Sequence, residues 1–341
     1  MRTTPARWRR SPRSWGGTTV GARWSWCSAP ATSIWPWRAS LPGSDLRAAL
    51  ADMRGAVRQG VPLAPMMHLR IGGPAEWFVE PFGEQDVALV VRVCRELELP
   101  LYVLGGGSNV VVADQGVRGV VLHLSSLHRI VREQNRVTVG AGVTLPSLLR
   151  ATKEAGLAGL EKLTGIPAMV GGAVAMNAGT RDGETFDHLV SLTVVEPDGR
   201  IGVRAKEQLQ PRYRDGGLGD AIVVQATFEL EPDAPEAIFA RFSASLQARN
   251  RSQPVTQRSV GCVFRNPPGD AAGRLIEAAG CKTMSVRGVR VSDKHANYFV
   301  NDDTGTAGDF VALMTEVRER VRAEFGVELA AEVKFWGFPE R

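Results

Sequence analysis

Leu104-Gly105-Gly106-Gly107-Ser108-Asn109 is the stretch that decides the reading of this chain, together with a second run, Gly165-Ile166-Pro167 through Gly171-Gly172 to Asn177-Ala178-Gly179. Bare glycine lets backbone N–H groups converge on phosphate oxygens with no Cβ in the way. Two such loops far apart in sequence point to one long diphosphate ligand gripped twice. Apolar runs flank the first loop, Leu101–Leu104 before it and Val110–Val112 after it, which predicts strand–loop–strand. A Walker loop needs Gly-Lys-Ser/Thr opening a helix, and no lysine stands here. The dinucleotide fingerprint needs a third glycine where this chain has Val110. A nest of loop amides, with no helix dipole, is the expected phosphate holder. For either glycine run alone, a plain turn is the simpler reading.

The chain is long enough, at 341 residues, for two or three domains, and 44% hydrophobic with 23% charged residues is ordinary for a globular protein. No apolar stretch approaches the ~20 residues of a membrane helix. Cys27, Cys94, Cys262 and Cys281 show no C-x-x-C spacing, and the five histidines show no ligand spacing, so no metal is expected. With no secretory signal, the expected compartment is the reducing cytoplasm. The net charge of +5 misleads, because residues 1–44 hold seven arginines and no acid, leaving the rest at −2. The body therefore offers no compositional case for nucleic acid, and no obligate protein partner is evident. Residues 1–44 also hold six of the eight tryptophans and show no period. An RNA or membrane tail is one reading; a disordered or non-native extension from an over-extended start is preferred.

Helical spacing begins at Leu46, Leu50 and Met53. A strand is expected within 71–81, and an amphipathic helix over 84–99 with Val87, Val90, Val91, Cys94 and Leu97 on one face. Short strands follow in 117–142, a helix over 145–155, and strands at 190–195, 201–203 and 221–230. Glu231-Pro232-Asp233-Ala234-Pro235 marks a boundary. Beyond it come helices near 238–249, 271–279 and 307–325, then a last strand over 327–335 that alternates cleanly, with Glu332 off the core face. The class is α+β, divided into 1–44, 45–234 and 235–341.

Three places carry possible chemistry: Cys262 after a flexible glycine, Tyr213-Arg214-Asp215, and Glu332. Taken singly, each is most simply structural or solvated surface. As a set, in order with LRIGGPAEWFVEP, LGGGSNVVV, GIPAMVGGAVAMNAG, AGRLIEAAG and SDKHANYFVN, they resemble the UDP-N-acetylenolpyruvoylglucosamine reductase family over about residues 60–341.

The resemblance implies a flavin domain of the vanillyl-alcohol-oxidase type, made of two α+β subdomains, and a C-terminal substrate domain. Noncovalent FAD would contact Gly105, Gly106, Gly107, Ser108, Asn109, Thr164, Gly165, Ile166, Pro167, Gly171, Gly172, Asn177 and Gly179. Hydride would pass from NADPH to flavin, then from flavin N5 to C3 of the enolpyruvyl ether of a UDP-sugar, in peptidoglycan synthesis. Charge left at C2 and its carboxylate calls for a pre-placed cation and donors. Arg214 matches the family's arginine for this role. Glu332 matches its glutamate, which must be protonated to donate and so needs a raised pKa. Cys262 stands at the C2 proton donor, where many members carry serine. An ordinary thiol titrates near ~8.5 and yields its proton more readily than an alcohol. Tyr213, Asn266 and His295 are implied near substrate, although a hydrogen-bonded structural histidine fits His295 equally well.

Two other readings remain: a sugar or alcohol oxidase on the same flavin fold, and a binding module without catalysis. The joint presence of Arg214, Cys262 and Glu332 opposes the latter. Deleting residues 1–44 is expected to leave folding and turnover intact, and loss of either in the truncated chain would give the tail a role.

Overall fold

The computed structural model describes residues 43–339. Apart from the first two residues of its opening helix, α1 (Gly43–Ala49), the Arg/Trp-rich stretch 1–44 lies outside the described residues.

The first sheet shows why the sequence folds locally as it does. Strand 74–81 alternates sides: Trp77 and Val79 enter one core with helix α2 (Glu84–Glu96), while Ala75 and Phe78 enter another with Leu63, Met67 and Trp336. Strand 117–123 does the same, with Val120 and Leu122 on one side and Val117 and Val121 on the other. Buried on both faces, these strands read as nearly continuous apolar runs. The strand order is 55–62, 74–81, 117–123, 101–104, antiparallel at the first step and parallel thereafter.

The second sheet is antiparallel, ordered 201–205, 189–195, 222–229, 136–140, 130–133. Its core joins α2 with α3 (Leu145–Glu154) and α4 (Val170–Ala175). Helix α5 (Pro235–Ser252) begins at the proline-marked boundary and packs on α3 and the 161–163 turn.

The third sheet is ordered 258–262, 298–301, 289–291, 285–286, and α6 (Ala272–Ala278) and α7 (Ala307–Phe325) share its core. Phe310, Leu313, Met314, Val317 and Val321 form the expected buried stripe of α7. Gly326, at φ +68°, closes that helix.

The strand–loop–strand expectation at 101–112 is met, but the two strands are not hairpin partners. Leu101–Leu104 pairs with 117–123, and Val110–Val112 pairs in parallel with Lys334–Trp336 near the C-terminus. The last strand is shorter than its alternation predicts, with only Lys334–Trp336 in a named strand. Ahead of it the chain changes partners. Arg265 N–H donates to the Ala330 carbonyl and Glu332 N–H to that of Val263, both at 2.8 Å; Lys334 N–H then donates to the Asn109 carbonyl at 2.9 Å. The second glycine stretch also differs, because Gly171 and Gly172 lie in α4 and not in a loop. A Cβ on Gly171 would meet the Ala141 Cβ at 2.9 Å, so glycine allows that helix to pack closely.

Asp114, just after Val110–Val112, caps α7 from outside its core. Its carboxylate accepts from Ala307 N–H at 2.9 Å and Gly308 N–H at 3.1 Å. Removing this negative cap from a helix N-terminus costs about 1 kcal/mol. Asp114→Ala is expected to lower the Tm by about 2–4 °C, with Asp114→Asn recovering much of the loss; an unchanged Tm would show that the latch contributes nothing.

Candidate active site

Arg214 sits at the tip of a tight turn closed by Arg212 and Asp215, which exchange backbone hydrogen bonds of 2.7 and 3.0 Å. Its φ of +58° is left-handed, a conformation that costs a non-glycine residue about 1–3 kcal/mol and recurs at functional sites. Gly216 lets this turn press against α4: a Cβ there would lie 2.3 Å from the Val174 carbonyl oxygen. Asn177 holds the turn from the α4 side by donating to the Arg212 carbonyl at 3.3 Å. So placed, the Arg214 guanidinium stacks over the Tyr213 ring at 4.9 Å and donates from Nε to Glu332 Oε1 at 2.7 Å.

Glu332 is almost fully buried, and its second oxygen, Oε2, has no hydrogen-bond partner. Burial pushes its pKa up, and the opposing pull of Arg214 and Arg265 does not cancel that push. A raised pKa means proton retention to higher pH, as a carboxylic acid donor requires. The first glycine loop reaches the same residue, because Asn109 Nδ2 donates to the Glu332 carbonyl at 3.2 Å.

Cys262 ends strand 258–262 in a half-buried position opposite Tyr298. Burial and the nearby Glu332 push its thiol up to about 12, against the favourable influence of Arg214, Arg249 and the neighbouring Tyr298 hydroxyl. The expectation of an ordinary thiol acidity is therefore corrected: desolvation keeps this sulfur protonated throughout the physiological range. Arg214, Glu332 and Cys262, drawn from three distant segments, thus act on one another electrostatically in one cluster.

Arg214 also lines a cleft of about 630 Å³ with Met176, Arg212, Arg265 and Lys334. Its four cations outnumber the two carboxylates on the wall, Asp215 and Asp220, and the positive balance suits an anionic ligand. Tyr213 and Asn266 do not line this cleft themselves, but each adjoins one of its cations, Arg214 and Arg265, and the Asn266 backbone acts on the Tyr213 hydroxyl. The Asn266 side chain is turned elsewhere, accepting from Ala272 N–H at the start of α6 at 3.0 Å. His295 lies behind the site: Nδ1 accepts from Asn297 N–H at 3.2 Å, and its ring stands edge-on to Tyr298 at 4.9 Å. Burial lowers its pKa, leaving a neutral structural ring.

The two glycine stretches are neighbours in space. A Cβ on Gly106 would lie 3.3 Å from the Pro167 carbonyl oxygen, and one on Gly105 3.7 Å from the Met169 Cβ. Gly107, at φ +65°, backs onto Met66, whereas Gly172 opens onto free space. Thr164 braces its loop by donating to the Glu161 carbonyl. Gly165 lies against Arg249, whose Nε is buried without a partner, as is Asn177 Oδ1. A glycine-lined cradle bordered by an unpartnered guanidinium nitrogen and amide oxygen fits a bound dinucleotide. Gly179 belongs to a two-residue strand paired with 183–184 at the far end of α4; Ser108 and Ile166 are half-buried within their loops.

The sequence reading missed Arg249, Arg265 and Tyr298. Nothing local in the sequence sets Arg249 or Arg265 apart from the chain's other arginines. The signal for Tyr298 was its register opposite Cys262, which requires the strand pairing to be known.

Comparison with known proteins agrees with this geometry. Residues 75–203 match the FAD binding domain family, and residues 253–336 match the UDP-N-acetylenolpyruvoylglucosamine reductase C-terminal domain. The UDP-N-acetylenolpyruvoylglucosamine reductase of Moorella thermoacetica is 39% identical over 298 residues, covering 86% of this chain and 99% of its own. UDP-N-acetylenolpyruvoylglucosamine reductase 2 of Symbiobacterium thermophilum is 41% identical over 295 residues, covering 86% and 96%. The crystal structure of the Thermus caldophilus reductase, MurB, superposes with a TM-score of 0.71 at 36% identity, over 83% of this chain and 99% of that one.

Proposed function

Because this chain belongs to the UDP-N-acetylenolpyruvoylglucosamine reductase family, we propose that it reduces the enolpyruvyl ether of UDP-N-acetylglucosamine to UDP-N-acetylmuramate, using FAD with NADPH as reductant. The observation that carries this reading is the convergence of Arg214, Glu332 and Cys262 on one buried cluster. The flavin-binding part is assigned to residues 45–234 and the substrate part to 235–341, and the reaction is assigned to the cytoplasm with no further protein required.

FAD, when bound along Gly105–Asn109 and Thr164–Pro167, supplies the hydride chemistry. The residues of this chain bind the anionic substrate and manage its charge and proton. Arg214 presents a guanidinium fork to the substrate carboxylate, and its strained turn holds that fork in place before substrate arrives. Glu332, protonated, offers a hydrogen bond from its unpartnered oxygen to the charge developing on the carboxylate. Cys262 enters as a neutral thiol and gives its proton to C2 as C3 is reduced, with Arg214 and Arg249 favouring the thiolate left behind. Arg212, Arg265 and Lys334 supply further positive charge along the cleft. Tyr213 and Asn266 border the substrate here, whereas His295 supports Tyr298 from behind.

The test is anaerobic NADPH oxidation by the flavin-loaded protein, with and without UDP-N-acetylglucosamine enolpyruvate. Substrate-dependent oxidation beyond one flavin equivalent is expected. If oxidation stops at one equivalent and only oxygen restarts it, the protein is instead an oxidase of the same fold.

The role of Cys262 predicts a second result. Cys262→Ser should keep substantial activity. Cys262→Ala should slow single-turnover reoxidation of reduced flavin by substrate by about 100-fold or more, the usual scale for losing a general acid. Near-normal reoxidation in the alanine variant would remove Cys262 from the proton step.

A further inference from the structure

Tyr298 occupies the position directly opposite Cys262 across an antiparallel strand pair, and is itself almost fully buried. Its hydroxyl donates to Gln253 Oε1 at 2.9 Å, and the strand register sets its side chain beside that of Cys262, with which it interacts. A phenol has one proton to donate, so Gln253 and the sulfur compete for it. While the thiol keeps its own proton, the sulfur is a weak acceptor and the amide oxygen wins. Once the thiol has given its proton away, a buried thiolate is the stronger acceptor.

We propose that Tyr298 is a positioning residue whose hydroxyl turns from Gln253 to the Cys262 sulfur as the thiol proton leaves. The S–H bond breaks, its proton forms the new C–H bond at C2, and the electron pair stays on sulfur. The O–H bond of Tyr298 stays intact and only redirects its hydrogen bond. The thiolate then recovers a proton from solvent water. Gln253 itself also lines a cleft of about 430 Å³ whose other walls include exposed Val255 and Lys294, so its side chain is within reach of solvent. Arg214, Arg249 and Glu332 are the charged groups that act on the sulfur. The arginines help the thiolate and a charged Glu332 opposes it, so the hydroxyl adds a neutral, switchable donor. Burial and Cys262 both push the Tyr298 pKa up, so it stays a phenol in this role.

The C2 step rests on the reductase reading, but the redirected hydrogen bond can be measured without it. In the flavin-loaded full chain, iodoacetamide labelling of Cys262 is followed by peptide mass mapping between pH 8 and 10.5, where the rate reports thiolate. Tyr298→Phe keeps the ring packing and removes the donor. It is expected to slow labelling at each pH by about tenfold, the size of one hydrogen bond to a charged group. Gln253→Leu leaves the hydroxyl no competing acceptor and is expected to speed labelling several-fold, which a merely structural role would not do. Single-turnover reoxidation by substrate should slow with Tyr298→Phe while substrate Kd holds. Labelling that is unchanged or faster in Tyr298→Phe, or unchanged in Gln253→Leu, would overturn the proposal. If the parent protein never turns over the enolpyruvyl substrate, the reductase reading falls, and the two labelling rates still decide the role of Tyr298.

Discussion

A carboxyl group held out of water beside one guanidinium is the constraint on which the site depends. Glu332 uses one oxygen to accept from Arg214 and leaves the other unpartnered. Burying such a pair gains little net stability, and removing one member leaves an uncompensated polar group. The gain lies in placement. Glu332 is fixed through its backbone by Val263 on one side and Asn109 on the other, so hydrogen bonds tie the acid to both the segment after the thiol strand and the first glycine loop.

The same segment ties the two parts of the chain together. Residues 330–332 pair with 263–265 of the substrate part, and residues 334–336 pair with 110–112 of the flavin part. A hydride acceptor and the groups that manage the resulting charge must meet within a few ångströms. Passing one short extended segment between two sheets meets that need without a hinge. Asp114, capping α7 from the flavin side, strengthens the same seam.

Much of the fold was legible because its signals are local. The stripe of α7, the face of α2 and the apolar runs of the first sheet each follow from side-chain period and burial. The final strand was overestimated because alternation reports an extended chain, not the identity of its partners; residues 327–333 extend without one continuous ladder. Arg214, Cys262 and Glu332 were found by resemblance, since none carries a local signature. Arg249 and Tyr298 went unseen because their chemistry comes from what packs against them. Desolvation likewise changes Cys262 from an ordinary thiol into one pushed up to about 12, a property of the folded neighbourhood alone.

Donation by Glu332 requires that burial outweigh the pull of Arg214, so that its proton is retained into the working pH range. Difference infrared titration of the flavin-loaded protein, with Glu332→Gln as the blank, measures this directly. The predicted result is a carboxylic acid carbonyl band, lost in Glu332→Gln, that titrates above the ordinary glutamate range. A midpoint at or below that range would mean that the Arg214 ion pair dominates. Glu332 would then be a carboxylate unable to donate to the developing charge.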